Sequence, residues 1–317
     1  MVGCLQTEIG RLRYGESPAE LYEPLRYLMS LGGKRLRPLL TLLGAALYGD
    51  DWQRHVSPAL AIETFHNFTL MHDDLMDAAP LRRGQPTVHE KWNASTAILA
   101  GDVMLVQAYE LLLSVNPTLL PEVLRAFNRC AAEVCEGQQL DMNFESRLEV
   151  SEEEYLEMIR LKTAVLVGFA LELGGRLAGA PTEDLPKLRA MGQHVGVGFQ
   201  LHDDLLDVFG DQAKFGKRVG GDIVADKKTF LLIKALELAQ GEERQTLVGW
   251  LGCKTDDSTK VQAVTTIYER LGIRSLTEAR RDGYFERGQE CLAELHVPAE
   301  RKAALADFIQ QLIGRES

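Results

Sequence analysis

Apolar residues recur along this chain at three- and four-residue intervals from about residue 17 to residue 313. No stretch of four to eight β-branched residues alternates between turns as a half-buried strand would. The pattern therefore predicts helices. Ser17-Pro18-Ala19-Glu20 reads as an N-cap, a proline at the first helical position and a capping-box glutamate. Pro24 restarts this helix, which runs to Met29 and ends at Gly32-Gly33. Leu36 to Leu47 is a second segment, and Ser57-Pro58 opens a third that stops before Pro80. Leu81 to Asn93 reads as a polar connection. Helical composition returns over Thr96 to Ser114 and from Pro121 to about Arg147. Ser151-Glu152-Glu153-Glu154 is a further capping box, opening a helix to about Ala178. Thr182 to Phe209 carries Gly192, Gly196 and Gly198 at helical spacing. Each glycine costs roughly 1 kcal/mol against alanine in a helix, so three imply close approach by a neighbouring helix or a ligand. Gly210 to Asp222 is a Gly/Lys-rich loop, and helices resume over 227–240, 241–251, 258–271, 275–295 and 298–313. The expected fold is all-α, a multi-helix bundle in a single domain spanning 1–317.

Composition narrows the function classes. A net charge of −11 without a long Lys/Arg run argues against a nucleic-acid partner. The five cysteines are odd in number, scattered and never in CxxC spacing, so neither a disulfide framework nor a zinc site is indicated. No basic-then-apolar leader begins the chain, and no run of about 18 uncharged apolar residues occurs. A cytoplasmic protein without a transmembrane segment is the expectation.

One motif is written twice. Met71-His72-Asp73-Asp74-Leu75-Met76-Asp77 returns about 130 residues later as Leu201-His202-Asp203-Asp204-Leu205-Leu206-Asp207. On a helix, residues four apart stack on one face, so Asp73 lies over Asp77 and Asp203 over Asp207. Asp74 and Asp204 widen each patch. Uncompensated carboxylates this close repel, and a hard divalent cation such as Mg²⁺ is their natural occupant. A single trio could equally be a solvated acidic face. Two trios, each at the end of an apolar stretch, can face one another across a bundle interior, where carboxylate metal sites are built.

Cations accompany both trios. Gly32-Gly33-Lys34-Arg35-Leu36-Arg37-Pro38 gathers three, Arg82-Arg83 follows the first trio, and Lys214, Lys217, Arg218, Lys227 and Lys228 follow the second. Any one cluster alone could be a solvated turn. Beside acidic trios they fit phosphate, because guanidinium forks and ammonium groups bind its oxygens while metals bridge phosphate to carboxylate. His72 and His202 read as packing or supporting residues, and His66 as either a phosphate donor or a core histidine. Neither a Gly-x-Ser-x-Gly elbow nor a complete P-loop is present, so the chemistry rests on metals and charge with a diphosphate leaving group.

Taken together, GGKRLRP at 32–38, HDDLMDAAPLRRGQPTVH at 72–89, Lys162-Thr163, FQLHDDLLD at 199–207 and GKRVGGDIVADKK at 216–228 resemble the trans (head-to-tail) isoprenyl diphosphate synthases, or polyprenyl synthetases. The resemblance implies an all-α fold with a deep central cavity, a homodimer, and condensation of isopentenyl diphosphate with an allylic diphosphate. It implies that Asp73, Asp77 and Asp203 ligate three Mg²⁺ ions gripping the allylic diphosphate. Asp74, Asp204 and Asp207 would complete the patches, and Arg82, Lys162, Lys217 and Lys227 would contact the same diphosphate. The interval from Lys217 to Asp222 varies in the family, which leaves Lys217 less anchored than Lys227. Lys34, Arg37, His66 and Arg83 would hold isopentenyl diphosphate, with Phe199 alongside. Thr163 and Gln200 would place oxygen dipoles near the developing carbocation. The 210–222 loop would close the site against water.

Product length depends on where the growing tail meets a wall. Phe68 and Phe65 lie five and eight residues before Asp73, roughly 7.5 and 12 Å along a helix. Both could be ordinary core residues. With Thr69 following Phe68 and no insertion inside the trio, the pattern resembles a short-chain C20 type, making geranylgeranyl diphosphate the expected product. Farnesyl diphosphate and a C25 product are the alternatives. Two different classes also compete. A class I terpene cyclase usually lacks a second Asp trio and a second diphosphate site, whereas a non-catalytic subunit of a prenyl synthase complex tends to lose one trio.

Overall fold

The computed structural model describes residues 1–210, 220–253 and 257–314. Lys214, Lys217, Arg218 and most of the expected lid loop lie outside the described residues. The fold is all-α, as the periodicity predicts, and the contacts divide the chain into two compact units. One comprises Met1–Cys130, Leu166–Arg189 and Leu295–Leu305; the other comprises Ala131–Val165, Ala190–Glu294 and the chain from Ala306 onward.

The first unit begins with α1 (Val2–Arg11), a helix not expected from the sequence, and continues through α2 (Ala19–Ser30) and α3 (Leu36–Tyr48). α3 is apolar on nearly every face and accordingly buried, including Leu39, Leu40, Leu42 and Leu43. α4 (Val56–Met76) carries the first aspartate trio, with Asp77 as its C-cap and the Asp77 N–H donating to Asp73 O at 2.9 Å. α5 (Val88–Lys91) is a single turn, and α6 (Ala94–Leu112) packs along α4 through Ala97, Ala100, Gly101, Met104 and Ala108. A Cβ at Gly101 would stand 2.2 Å from the His72 ring, so only glycine admits this approach. α7 (Leu120–Glu145) starts here and ends in the second unit. α9 (Val165–Leu177) crosses α3 closely, since a Cβ at Gly174 would lie 2.0 Å from Thr41 O and one at Gly44 2.5 Å from Leu171 O.

The connection after α4 departs from the expected polar loop. Leu81–Arg82 (β1) and Gln85–Pro86 (β2) form a two-residue antiparallel hairpin, with Leu81 opposite Pro86 and Arg82 opposite Gln85. Both turn residues have positive φ, Arg83 at 53° and Gly84 at 74°, as a tight hairpin turn of matching twist demands. Only Gly84 signals such a turn. An arginine there does not, which is why the strands escape the sequence pattern.

The second unit contains α8 (Glu152–Ile159), entered through the complete capping box of Ser151 and Glu154. The helix expected to continue unbroken to Ala178 is interrupted by a π-helical turn, Arg160–Ala164. α10 (Leu185–Phe209) bears the second trio in its last turns. Its Gly198 faces the Phe285 ring, with a would-be Cβ at 3.2 Å, so here the close neighbour is a helix. A short turn, α11 (Gly221–Val224), precedes α12 (Phe230–Leu238), α13 (Gly241–Trp250), α14 (Asp257–Arg270), α15 (Ile273–Ala293) and α16 (Ala299–Ile313). Tyr155, Met158, Val197, Leu201 and Phe230 share one core that anchors α8, α10 and α12 together.

Candidate functional site

In the first unit the three aspartates are not equivalent. Asp73 is half-buried and Asp77 exposed, whereas Asp74 is 2% exposed. The hairpin returns Arg82 to Asp74, where its Nε lies 3.0 and 3.1 Å from the two carboxylate oxygens. The same guanidinium reaches Asp73 at 3.9 Å. Burial raises the Asp74 pKa despite the Arg82 hydrogen bond. Asp74 therefore holds Arg82 in place, while Asp73 and Asp77 stand on the more exposed side of the trio.

The neighbouring basic residues sort in the same way. Arg35, in a left-handed conformation at φ 49°, is buried against Glu63 at 2.5 Å and donates to Met29 O at 2.6 Å. It is a structural pair. Lys34 is exposed, and half-buried Arg37 lies 3.1 Å from His66 Nε2. Arg83 donates to Gly32 O across the Gly32-Gly33 turn, whose φ values of 80° and 122° only glycine accepts readily. Burial first, then Arg37, Arg83, Arg82 and Arg35, push the His66 pKa well below its usual value. His66 is thus a neutral imidazole surrounded by guanidinium groups. This unit gathers Arg37, His66, Arg83 and the first trio on α3, α4 and the hairpin, with Lys34 in the turn before α3.

In the second unit Lys162 lies in the π-turn and donates to Asp141 at 2.6 Å. Helical insertions of this kind recur at functional sites because they redirect side chains without ending the helix. Gly137 of α7 permits the arrangement, since a Cβ there would stand 2.2 Å from the Lys162 backbone nitrogen. Thr163 donates to Gln200 Oε1 at 3.2 Å, and Gln200 Nε2 donates to Asp204 at 3.0 Å. The buried Tyr155 hydroxyl also donates to Asp204. Asp204 is 4% exposed, while Asp203 and Asp207 are half-buried. Asp207 Oδ2 accepts from the Asp222 N–H at 2.9 Å. Burial, with Asp203 and Asp207 nearby, raises Asp204 to about 7. Burial, Asp207 and Asp204 raise Asp222 to about 8, against an opposing effect of Lys227. Phe199 is half-buried on α10.

Asp141, Tyr155 and Asp222 belong to this cluster but were not singled out from the sequence. Their only signals are a carboxylate four residues after Gly137, a tyrosine two helical turns before Lys162, and an aspartate five residues before Lys227. Among the described residues no group of three or more His, Cys, Asp or Glu is close enough to hold a metal by itself.

The candidate chain-length residues share an aromatic cluster in the first unit. Phe65 is fully buried, 5.5 Å from the Phe68 ring and 5.0 Å from Phe127. Phe68 is half-buried and meets the His72 ring at 4.8 Å. Thr69 donates back to His66 O at 2.8 Å.

The polyprenyl synthetase family profile matches residues 18–270. The chain belongs to this family. The synthase is 38% identical over 296 residues to a short chain isoprenyl diphosphate synthase of Methanothermobacter thermautotrophicus, covering 92% of this chain and 90% of the relative. It is 45% identical over 242 residues to a geranylgeranyl pyrophosphate synthase of Geoglobus acetivorans, covering 75% of each. A crystal structure of a geranylgeranyl pyrophosphate synthase superimposes with a TM-score of 0.92 at 42% identity, covering 100% of the synthase and 97% of that chain. The synthase is accordingly a prenyltransferase of the short-chain class.

Proposed function

We propose that the synthase condenses isopentenyl diphosphate with dimethylallyl, geranyl and farnesyl diphosphates, with geranylgeranyl diphosphate (C20) as main product. The observation that carries this reading is the basic cluster of Arg37, His66 and Arg83, present in addition to the Arg82 that pairs with Asp74. Such a cluster offers a second diphosphate site, which a cyclase acting on one diphosphate does not need. The names of the relatives support the short-chain C20 assignment.

The donors fit Mg²⁺: carboxylate oxygens only, buried and crowded enough that Asp204 and Asp222 are driven toward their neutral forms. Asp73, Asp77 and Asp203 would hold three Mg²⁺ ions, with Asp207 beside them. Bound there, Mg²⁺ supplies Lewis-acid stabilisation of the departing diphosphate. Arg82, Lys162 and Lys227, together with Lys217, neutralise the same charge, and Arg82 and Lys162 come preorganised by Asp74 and Asp141. Lys34, Arg37, His66 and Arg83 hold isopentenyl diphosphate, with Phe199 alongside. Neutral His66 accepts from Arg37 and so aims that guanidinium without adding a charge. Gln200 is fixed at both ends, by Thr163 and Asp204, and the Thr163 and Gln200 dipoles face the carbocation as it develops. The diphosphate product takes the final proton. Phe65, Phe68 and Thr69 set the length of the tail. A homodimer completes the proposal, supported by the exposed apolar side chains Leu99 and Val106 on α6 and Leu113 at its C-cap.

Incubating the purified chain with Mg²⁺, isopentenyl diphosphate and each allylic primer, then weighing the products, tests the reading. A C20 main product is expected. Absence of condensation with every primer would remove the synthase assignment, and a C15 or C25 main product would replace the C20 one.

A further inference from the structure

The segment that presents Asp222 and Lys227 is held from behind by a residue far along the chain. Lys260, on α14, is 3% exposed. Its Nζ lies 2.7 Å from Asp226 Oδ1 and 3.3 Å from Val224 O. The other Asp226 oxygen accepts from the Gly252 N–H at 2.9 Å, and its carbonyl accepts from Lys228 Nζ at 3.0 Å. Asp226 itself is left-handed, at φ 53°, a conformation that a non-glycine residue keeps only when its surroundings impose it. The turn then closes on the next residue, where the Lys227 N–H donates to Asp222 O at 3.0 Å. A small, partly open cavity lined in part by Asp222, Asp226, Lys227 and Lys260 adjoins the pair.

Burying the Lys260 ammonium against a half-buried Asp226 is a poor device for stability alone, because desolvation of the lysine offsets much of the attraction, and packed apolar side chains often serve as well. What the pair does fix is backbone geometry at the residue preceding Lys227. We propose that Lys260 is a positioning residue that acts through Asp226 to hold Lys227 and Asp222 in register for the allylic diphosphate. The inference rests on the placement of Lys227 at that diphosphate in the proposed function.

Steady-state kinetics of the full chain with Mg²⁺ test it through Lys260→Met, Lys260→Arg, Lys227→Ala and the double variant. Lys260→Met is expected to raise KM for the allylic diphosphate by about tenfold while leaving KM for isopentenyl diphosphate within about twofold. Lys260→Arg, which keeps the charge, restores most of the loss. The double variant is no worse than Lys227→Ala, because both changes act on one contact. Equal rises in both KM values, or a lowered melting temperature with both KM values unchanged, would make Lys260 structural only and overturn the proposal. Lys227→Ala separately tests the underlying reading: an unchanged allylic KM there overturns the placement of Lys227 and the positioning role with it. Asp226→Asn, which keeps the shape and the acceptor for Gly252, carries the same expectation if Lys260→Met does not fold.

Discussion

Asp74 and Asp204 sit at equivalent places in the two trios and share a fate. One residue's step around a helix, roughly 100°, turns each from the accessible face to the interior. There Asp74 pairs with Arg82, and Asp204 with Tyr155 and Gln200. The second cluster carries the larger electrostatic burden. Asp204 and Asp222 keep their protons to about 7 and about 8, whereas in an unfolded chain they would release them near pH 4. The folded state therefore binds more protons across that window. Their contribution to stability is complete below about pH 4 and is lost as pH rises through about 7 and 8. His66, whose pKa is depressed, works oppositely and has made its full contribution above about pH 6.5. Between pH 6.5 and 9 the carboxylates thus govern the slope. Thermal melts of the metal-free chain are expected to show a falling Tm over this range. Asp222→Asn should flatten the slope, and Mg²⁺ with diphosphate should offset it. A slope unaltered by Asp222→Asn would contradict this account. At the aromatic cluster, Phe68→Ala removes a half-buried ring without touching the aspartates, so product mass spectra should shift toward chains longer than C20. Unchanged products would exclude Phe68 as the floor.

At the scale of elements, two local irregularities aim the basic side chains. The hairpin sends Arg82 to Asp74 and Arg83 to Gly32, and the π-turn presents Lys162 to Asp141. The π-turn depends on Gly137, because an added methyl would collide with backbone, which cannot rotate away. Gly137→Ala is expected to cost about 1–3 kcal/mol of stability, as overpacking does, and to weaken the allylic substrate's binding. Gly3→Ala, where nothing lies within 4 Å, is the matched control. Calorimetry and KM values for both substrates check the pair of variants. These same irregularities mark the limit of what the sequence discloses. Long helices such as α3, α6 and α7 are legible because their apolar spacing repeats over several turns, and Ser151-x-x-Glu154 announces its helix before any coordinates do. The paired trios and their cations are legible because charge at helical spacing is unusual beside apolar runs. A one-residue insertion leaves helical composition unchanged, so the π-turn is silent. Arg83 at positive φ gives no turn signal, and Asp141, Tyr155 and Asp222 are single polar residues whose partners only folding supplies.

For the whole molecule, α6 poses the question the other helices do not. Its buried side is mostly small residues, Ala97, Ala100, Gly101 and Ala108, with Met104 and Leu112 among them, yet large apolar residues also line its outer side. Leu99, Val106 and Leu113 recur every seven residues and are 59, 68 and 57% exposed, with Ile98 beside them. Apolar on two sides, α6 is also the one helix among the described residues long and apolar enough to cross a membrane by length and composition. Asp102 and Glu110 are exposed on the same helix, and a charge at the centre of a bilayer costs about 2.5–3.5 kcal/mol. A protein surface would satisfy both features better: the stripe would pack against its symmetry-related copy, with Asp102 and Glu110, which lie three and four residues from stripe members on the same face, kept hydrated within that contact. The proposed homodimer therefore uses this face. Light scattering of the 35.3 kDa chain should give twice the monomer mass. Val106→Glu with Leu99→Glu places four carboxylates in one two-fold interface and should shift the equilibrium to monomer at micromolar concentration. Retention of the dimer in that variant would move the interface elsewhere, and a monomeric parent chain would remove the dimer altogether.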